Sequence, residues 1–174
     1  MANLLHRLVR VFRHQWRGSG ALPPELRDAA LQRLTARVAQ SELRHSGQIR
    51  LCLEAALPAS YLWRDATPRE RAIALFGKLR VWDTEHNNGV LIYLLLAEQA
   101  IEIVADRGLA RQVPQSTWGA LVGRMGEMLR AERFEEALNQ AIDEVSTLLE
   151  AESAALVRAG NELPDAPVVV LKHY

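Results

Sequence analysis

The run Gly89 to Ala97 is continuously apolar and is followed, after Glu98-Gln99, by the alternation Ala100-Ile101-Glu102-Ile103-Val104. An uninterrupted apolar stretch of this length is too short to cross a membrane and reads as a central strand covered on both faces. With Glu98-Gln99 as a two-residue turn, Ala97 is expected to pair with Ala100, which puts Leu91 near Asp106 and Gly89 near Gly108. Gly89 to Asp106 is therefore a buried β-hairpin at the heart of an α/β domain, with the polar loop Trp82 to Asn88 at its mouth.

The rest of the chain supplies the layers around such a strand pair. Pro23-Pro24 suits the first turn of a helix running to about Arg44, with Leu31, Leu34 and Val38 as its buried stripe. Gln48 to Leu57 reads as a strand with Ile49, Leu51 and Leu53 on one face and Arg50, Cys52 and Glu54 on the other. Thr67-Pro68-Arg69-Glu70 carries an N-cap, a proline at the first helical position and a capping-box glutamate. From Asp106 to about Leu156 the periodicity is helical, broken near Pro114 and between Ala131 and Arg133. Asn161 to Tyr174, with Val168 to Leu171, is a tail or an added edge strand. Divided by composition, residues 1–20 are a basic amphipathic segment, 21–157 the domain and 158–174 the C-terminal tail.

In the N-terminal segment Leu4, Leu5, Leu8, Phe12 and Trp16 recur at helical spacing, with Arg7, Arg10, Arg13 and Arg17 between them and no acid before Glu25. Residues 4–17 read as a helix for a peripheral membrane contact or a protein partner, or as a terminal helix capping the domain. The arginines are scattered among apolar residues rather than preceding an apolar run, so no secretory signal is expected.

Charge excludes one class of partner. Lys plus Arg and Asp plus Glu are 21 each, and no basic patch is interleaved with aromatics, so nucleic acid is not expected. The single cysteine, Cys52, rules out an internal disulfide and fits a reducing compartment, with the cytoplasm as the default. A cysteine among leucines in a strand reads as core rather than as a nucleophile. The five histidines show no ligand spacing, and no GxGxxG, P-loop or GxSxG sequence occurs.

What chemistry the sequence offers gathers at the hairpin mouth. Asp83, Glu85, Asn88 and Asp106 are oxygen donors suited to a hard cation such as calcium or magnesium. Arg80, Trp82, Thr84, Asn87 and Arg107 surround them as ligand-binding candidates. The run is not an EF-hand, because Gly89 comes one place late and the twelfth position from Asp83 is Leu94. Asp83, Asn87, Asn88 and Gly89 serve equally as turn formers at a strand entrance. An arginine beside a cation would also permit metal-assisted phosphoester hydrolysis.

Trp82-Asp83, Asn88-Gly89-Val90-Leu91-Ile92-Tyr93-Leu94-Leu95 and Ile101-Glu102-Ile103-Val104-Ala105-Asp106-Arg107-Gly108 resemble the signature of the TPM domain family. The likeness extends from about Pro23 to Leu149. It implies a three-layer α/β/α sandwich with a mixed central sheet of about four strands, a capacity for divalent cations, and the acid phosphatase activity proposed for thylakoid-lumen members. Two departures bear on that activity: Asn87 stands where many relatives carry Asp, and Asp106-Arg107-Gly108 where they carry Gly-x-Gly. Without export signal or anchor, the chain resembles a shorter bacterial subgroup. The expected function is a cation- or small-ligand-binding module acting with a protein partner, with a phosphatase and a ligand-free structural adaptor as the alternatives.

Overall fold

A computed structural model describes residues 8–14, 22–153 and 160–171. The N-terminal residues Leu4, Leu5, Arg7, Trp16 and Arg17 lie outside the described residues.

Four strands form one mixed sheet: β1 (Gln48–Glu54), β2 (Gly89–Leu95), β3 (Ala100–Ala105) and β4 (Val168–Val170). Their order is β3-β2-β1-β4, with β2 and β4 parallel to β1 and β3 antiparallel to β2. Alternation within the strands sorts side chains to two faces, each with its own core. Ile49, Leu51 and Leu53 of β1 join Val90, Ile92, Leu94, Ile101 and Ile103 on one face. Helices α1 (Asp28–Glu42), α5 (Gln115–Arg130) and α6 (Phe134–Ser153) cover it through residues such as Leu34, Val38, Trp118, Leu121, Leu138 and Ile142. Cys52, Leu91, Tyr93, Leu95 and Val104 form the other face, under α2 (Ala59–Trp63) and α3 (Pro68–Lys78). The expected three-layer α/β/α architecture is therefore present, and every residue of β2 is buried as a strand covered on both sides must be.

Local signals placed α3 where the capping box required. The Thr67 hydroxyl accepts from the Glu70 amide while the Glu70 carboxylate accepts from the Thr67 amide, with Pro68 at the first helical position. The Pro23-Pro24 helix start differs: Pro24–Leu26 make a separate 3-10 turn, Arg27 is extended, and α1 begins only at Asp28. β1 ends at Glu54 rather than Leu57, and Pro58 instead caps the short helix α2, which the sequence reading lacked.

The hairpin register also differs from expectation. Leu95, not Ala97, pairs with Ala100, because Leu96–Glu98 coil into a 3-10 turn closed by Gln99 in the left-handed region at φ 50°. A shift of two residues leaves every side chain on its expected face, since the side-chain period of a strand is two. Val90 consequently faces Ala105, and Leu91 faces Val104.

The C-terminal alternatives resolve to an edge strand. Val168, Val169 and Val170 pair with Cys52, Leu53 and Glu54, and the approach is held by the Gln48 side chain accepting from the Glu162 and Leu163 amides at 2.9 and 3.0 Å. Arg50 donates to the carbonyls of Pro164 and Ala166. Among the described residues no helix is long and apolar enough to cross a membrane.

Candidate functional site at the hairpin mouth

The loop between α3 and β2 is held in shape by its own backbone. Arg80 and Asn87 take positive φ of 55° and 52°, the Asp83 amide donates to the Arg80 carbonyl, and the Asn88 amide donates to the Thr84 hydroxyl at 3.2 Å. This folding presses Val81 against Gly89 so closely that a Cβ on Gly89 would stand 2.0 Å from the Val81 carbonyl oxygen. Glycine is required there by the approach of two backbones.

The loop after β3 meets it from the other side. The Asp106 amide donates to the Gly89 carbonyl at 2.8 Å, and the Gly108 amide to the Asn87 carbonyl at 3.0 Å. A Cβ on Gly108 would lie 2.5 Å from that same Asn87 oxygen, so this position too belongs to glycine. Asp106 then caps α4 (Arg107–Gln112), its Oδ1 accepting from the Arg107 amide at 2.6 Å.

The structure thus ties the loop of Thr84, Asn87 and Asn88 to the loop of Asp106 through backbone bonds, and leaves the Asn87 side chain and other expected residues exposed. Thr84, Asn88 and Asp106 are buried. Asn88 donates through Nδ2 to the Ser46 hydroxyl at 3.2 Å, while its Oδ1 and Asp106 Oδ2 are buried without a hydrogen-bond partner among the described residues. Asp83 is exposed and taken up by Arg80, whose guanidinium also lies over the Trp82 ring, 5.9 Å from its centroid. Glu85 is exposed, and its amide donates to the Glu162 carboxylate of the C-terminal segment at 2.9 Å. The Arg107 side chain is exposed at the start of α4. Among the described residues no three of His, Cys, Asp and Glu come together as a metal-binding group.

Behind the mouth lies a cavity of about 40 Å³ lined by His86, Asn88, Gln112 and Glu152 with Leu109 and Leu149. That volume admits a bare ion or a few waters, whereas organic ligands occupy pockets of roughly 300 Å³ or more.

A second polar cluster escaped the sequence reading. Glu54, at the end of β1, is fully buried and receives Arg71 Nε at 3.0 and 3.2 Å and Nη2 at 2.5 Å, while Tyr93 donates its hydroxyl at 2.5 Å. Arg71 also lies over the Tyr61 ring. The available signal was Glu54 itself: a carboxylate on the second face of a strand covered on both sides needs a buried cation. Beside it, burial pushes the Cys52 thiol up to about 12, which removes the thiolate a nucleophile needs. Tyr93 is likewise pushed far above its ordinary range by burial and by Glu54.

Comparison with known proteins agrees with this architecture. A model of the TPM domain matches residues 25–148. Among solved structures, the NMR structure of the BA42 protein from the psychrophilic bacterium Bizionia argentinensis superposes with a TM-score of 0.73 at 21% identity, covering 86% of this chain and 98% of that one. The solution NMR structure of the N-terminal domain of a protein from P. gingivalis gives a TM-score of 0.60 at 18% identity, covering 79% and 84% respectively. At such identities the two structures speak for the fold. Among curated proteins there is no significant sequence match.

Proposed function

The chain belongs to the TPM domain family, and from that premise we propose that it is a binding module for a divalent cation, calcium or magnesium, seated at the mouth of the β2–β3 hairpin. The observation that carries this reading is the pair of buried oxygens, Asn88 Oδ1 and Asp106 Oδ2, left without hydrogen-bond partners among the described residues on two loops that the Gly108–Asn87 bond ties together. Leaving buried acceptors unmade costs about 1–3 kcal/mol each, more for a charged group, and a hard cation satisfies both. Thr84 Oγ1 and the Asn87 carbonyl stand in the same loop as further oxygen donors. Asp83 and Glu85, exposed at the rim, would complete the shell only if Asp83 leaves Arg80. The module's cation would present this face to a protein partner.

A metal-assisted phosphatase is the second reading, favoured by Arg107, an exposed residue directly after Asp106 at the start of α4. In it Asp106 and, once released from Arg80, Asp83 hold the cation, and Arg107 or the freed Arg80 meets the phosphate.

Thermal unfolding of the wild type and of Asp106→Asn in EDTA, calcium and magnesium tests the binding site, since asparagine keeps the helix cap and removes the charge. A cation at a hundred times its Kd stabilises by about 2.7 kcal/mol, which is roughly 5–11 °C for a chain of this size. The wild type should show that rise with one of the two ions and the variant should lose it. An unchanged wild-type melt with both ions rejects the site, and turnover of an aryl phosphate that depends on the ion and on Arg107 selects the phosphatase.

A further inference from the structure

A helix lying on a domain ordinarily turns its apolar stripe inward and its charges to water. The helical stretch over residues 8–14 is mounted the other way round. Arg10 and His14, one helical turn apart, face the domain. Arg10 Nε donates to Glu98 at 2.7 Å, Nη1 to Asp65 at 2.9 Å, and Nη2 to the Ala66 carbonyl at 2.6 Å. His14 is buried between Glu98, 2.8 Å from Nε2, and the Leu57 amide, which donates to Nδ1 at 3.0 Å. These bonds reach the hairpin turn, the loop after β1 and the turn after α2 at once, so the orientation of the helix is fixed at three points.

The apolar side chains are left outside. Leu8 is 59% exposed and Phe12 65%, with Val9 and Val11 beside them. The turn that receives Arg10 directly follows α2, whose last residue, Trp63, is 84% exposed. Next to it Arg64 stacks on Tyr61 at 4.4 Å, its side chain half in solvent. Arg13 is exposed on the helix itself.

We propose that this reversed helix, together with Trp63, is a docking face for an anionic lipid surface. The charge pattern selects that occupant. In sequence the segment holds Arg7, Arg10, Arg13 and Arg17 with no acid before Glu25, and of the two arginines among the described residues Arg10 is bound to the domain while Arg13 is exposed. Apolar side chains with a tryptophan at the rim and surplus arginine match the boundary between acyl chains and negative headgroups. The contact is one of lying on the surface, since among the described residues no helix is long and apolar enough to cross a membrane. This contact is independent of the hairpin mouth.

The test is co-sedimentation of the full chain with vesicles of phosphatidylcholine alone and of phosphatidylcholine mixed with phosphatidylserine, for the wild type, Phe12→Glu, Leu8→Glu and Trp63→Ala. The wild type should pellet with the anionic vesicles, weakly with the neutral ones, and less as salt rises. Phe12→Glu and Leu8→Glu should each lower partitioning by about tenfold or more, because they bring a repelled charge to the apolar face. Their unaltered circular dichroism melts would show that the fold is intact. Equal pelleting of wild type and both glutamate variants overturns the proposal, as does failure of the wild type to pellet. A dimer in light scattering that Phe12→Glu dissolves, with no vesicle binding, would assign the face to a second copy of the chain and also overturn it.

Discussion

Glu54 and Arg71 offer the sharpest test of how this sheet is held. The pair is buried, Glu54 at 0% and Arg71 at 4% relative exposure, and it is joined by three nitrogen–oxygen contacts. Replacing Arg71 with Met keeps an unbranched stem in the same space and removes the charge, leaving Glu54 in the core with the Tyr93 hydroxyl but without its cation. Breaking a buried pair from one side costs about 3–5 kcal/mol. For a chain of 150–250 residues each kcal/mol moves Tm by roughly 2–4 °C, so Arg71→Met should melt about 6–20 °C below the wild type. The double variant Glu54→Gln/Arg71→Met removes both charges of the pair and should recover most of that loss, because two neutral groups no longer need desolvation to be repaid. Urea unfolding of the wild type, Glu54→Gln, Arg71→Met and the double variant measures the coupling directly, with equal slopes confirming that the same surface is exposed in each. An Arg71→Met variant within about 1 kcal/mol of the wild type, or single effects that simply add, would refute the argument that the pair acts as a unit.

Two further outcomes are expected. Burial pushes the Glu98 carboxyl up, but the hydrogen bonds from His14 and Arg10 outweigh it and hold the group below its ordinary value. A depressed carboxyl stabilises above its unfolded value of about 4.3 and loses that contribution as pH falls through the folded one. Hydrogen exchange should therefore show the Leu57 amide and helix 8–14 losing protection below about pH 4 while β2 keeps its own, and Glu98→Gln should flatten that dependence. Gly108→Ala forces a Cβ against the Asn87 and His86 carbonyls, at 2.5 and 3.1 Å; it should cost about 1–3 kcal/mol in denaturant unfolding and abolish any cation response, and a variant as stable as the wild type would show that the mouth is looser than its contacts imply.

The hairpin and the helix cap were legible because their information is local. The apolar run and the alternation after Gln99 name two adjacent strands, and Thr67 and Glu70 lie within one helical turn. The turn between the strands was not, since Gln99 gives no clear sign that it will adopt φ 50° and lengthen the loop by two residues. At the candidate site, the meeting of Asp106 with the loop before Gly89 followed from strand counting and survived the register correction. Which of the loop's oxygens turn inward did not follow. Asp83 and Asn88 look alike as donors in sequence, yet Arg80 holds one in solvent while burial beside Ser46 takes the other inside.

By itself the sequence determined the layering of this protein: a strand apolar on both faces demands cover on both sides, and amphipathic helices of fitting period supply it. Only the tertiary structure decided what charged residues do, because a charge is placed by partners distant in the chain. It joined Glu54 to Arg71 and Tyr93, brought the segment ending in Val170 to the edge of β1, and set Arg10 and His14 on Glu98. Once those polar groups were drawn inward, Leu8 and Phe12 had nowhere to face but outward. Amphipathic spacing shows that a helix has two faces, and the bonds available to its charges choose which of them the solvent sees.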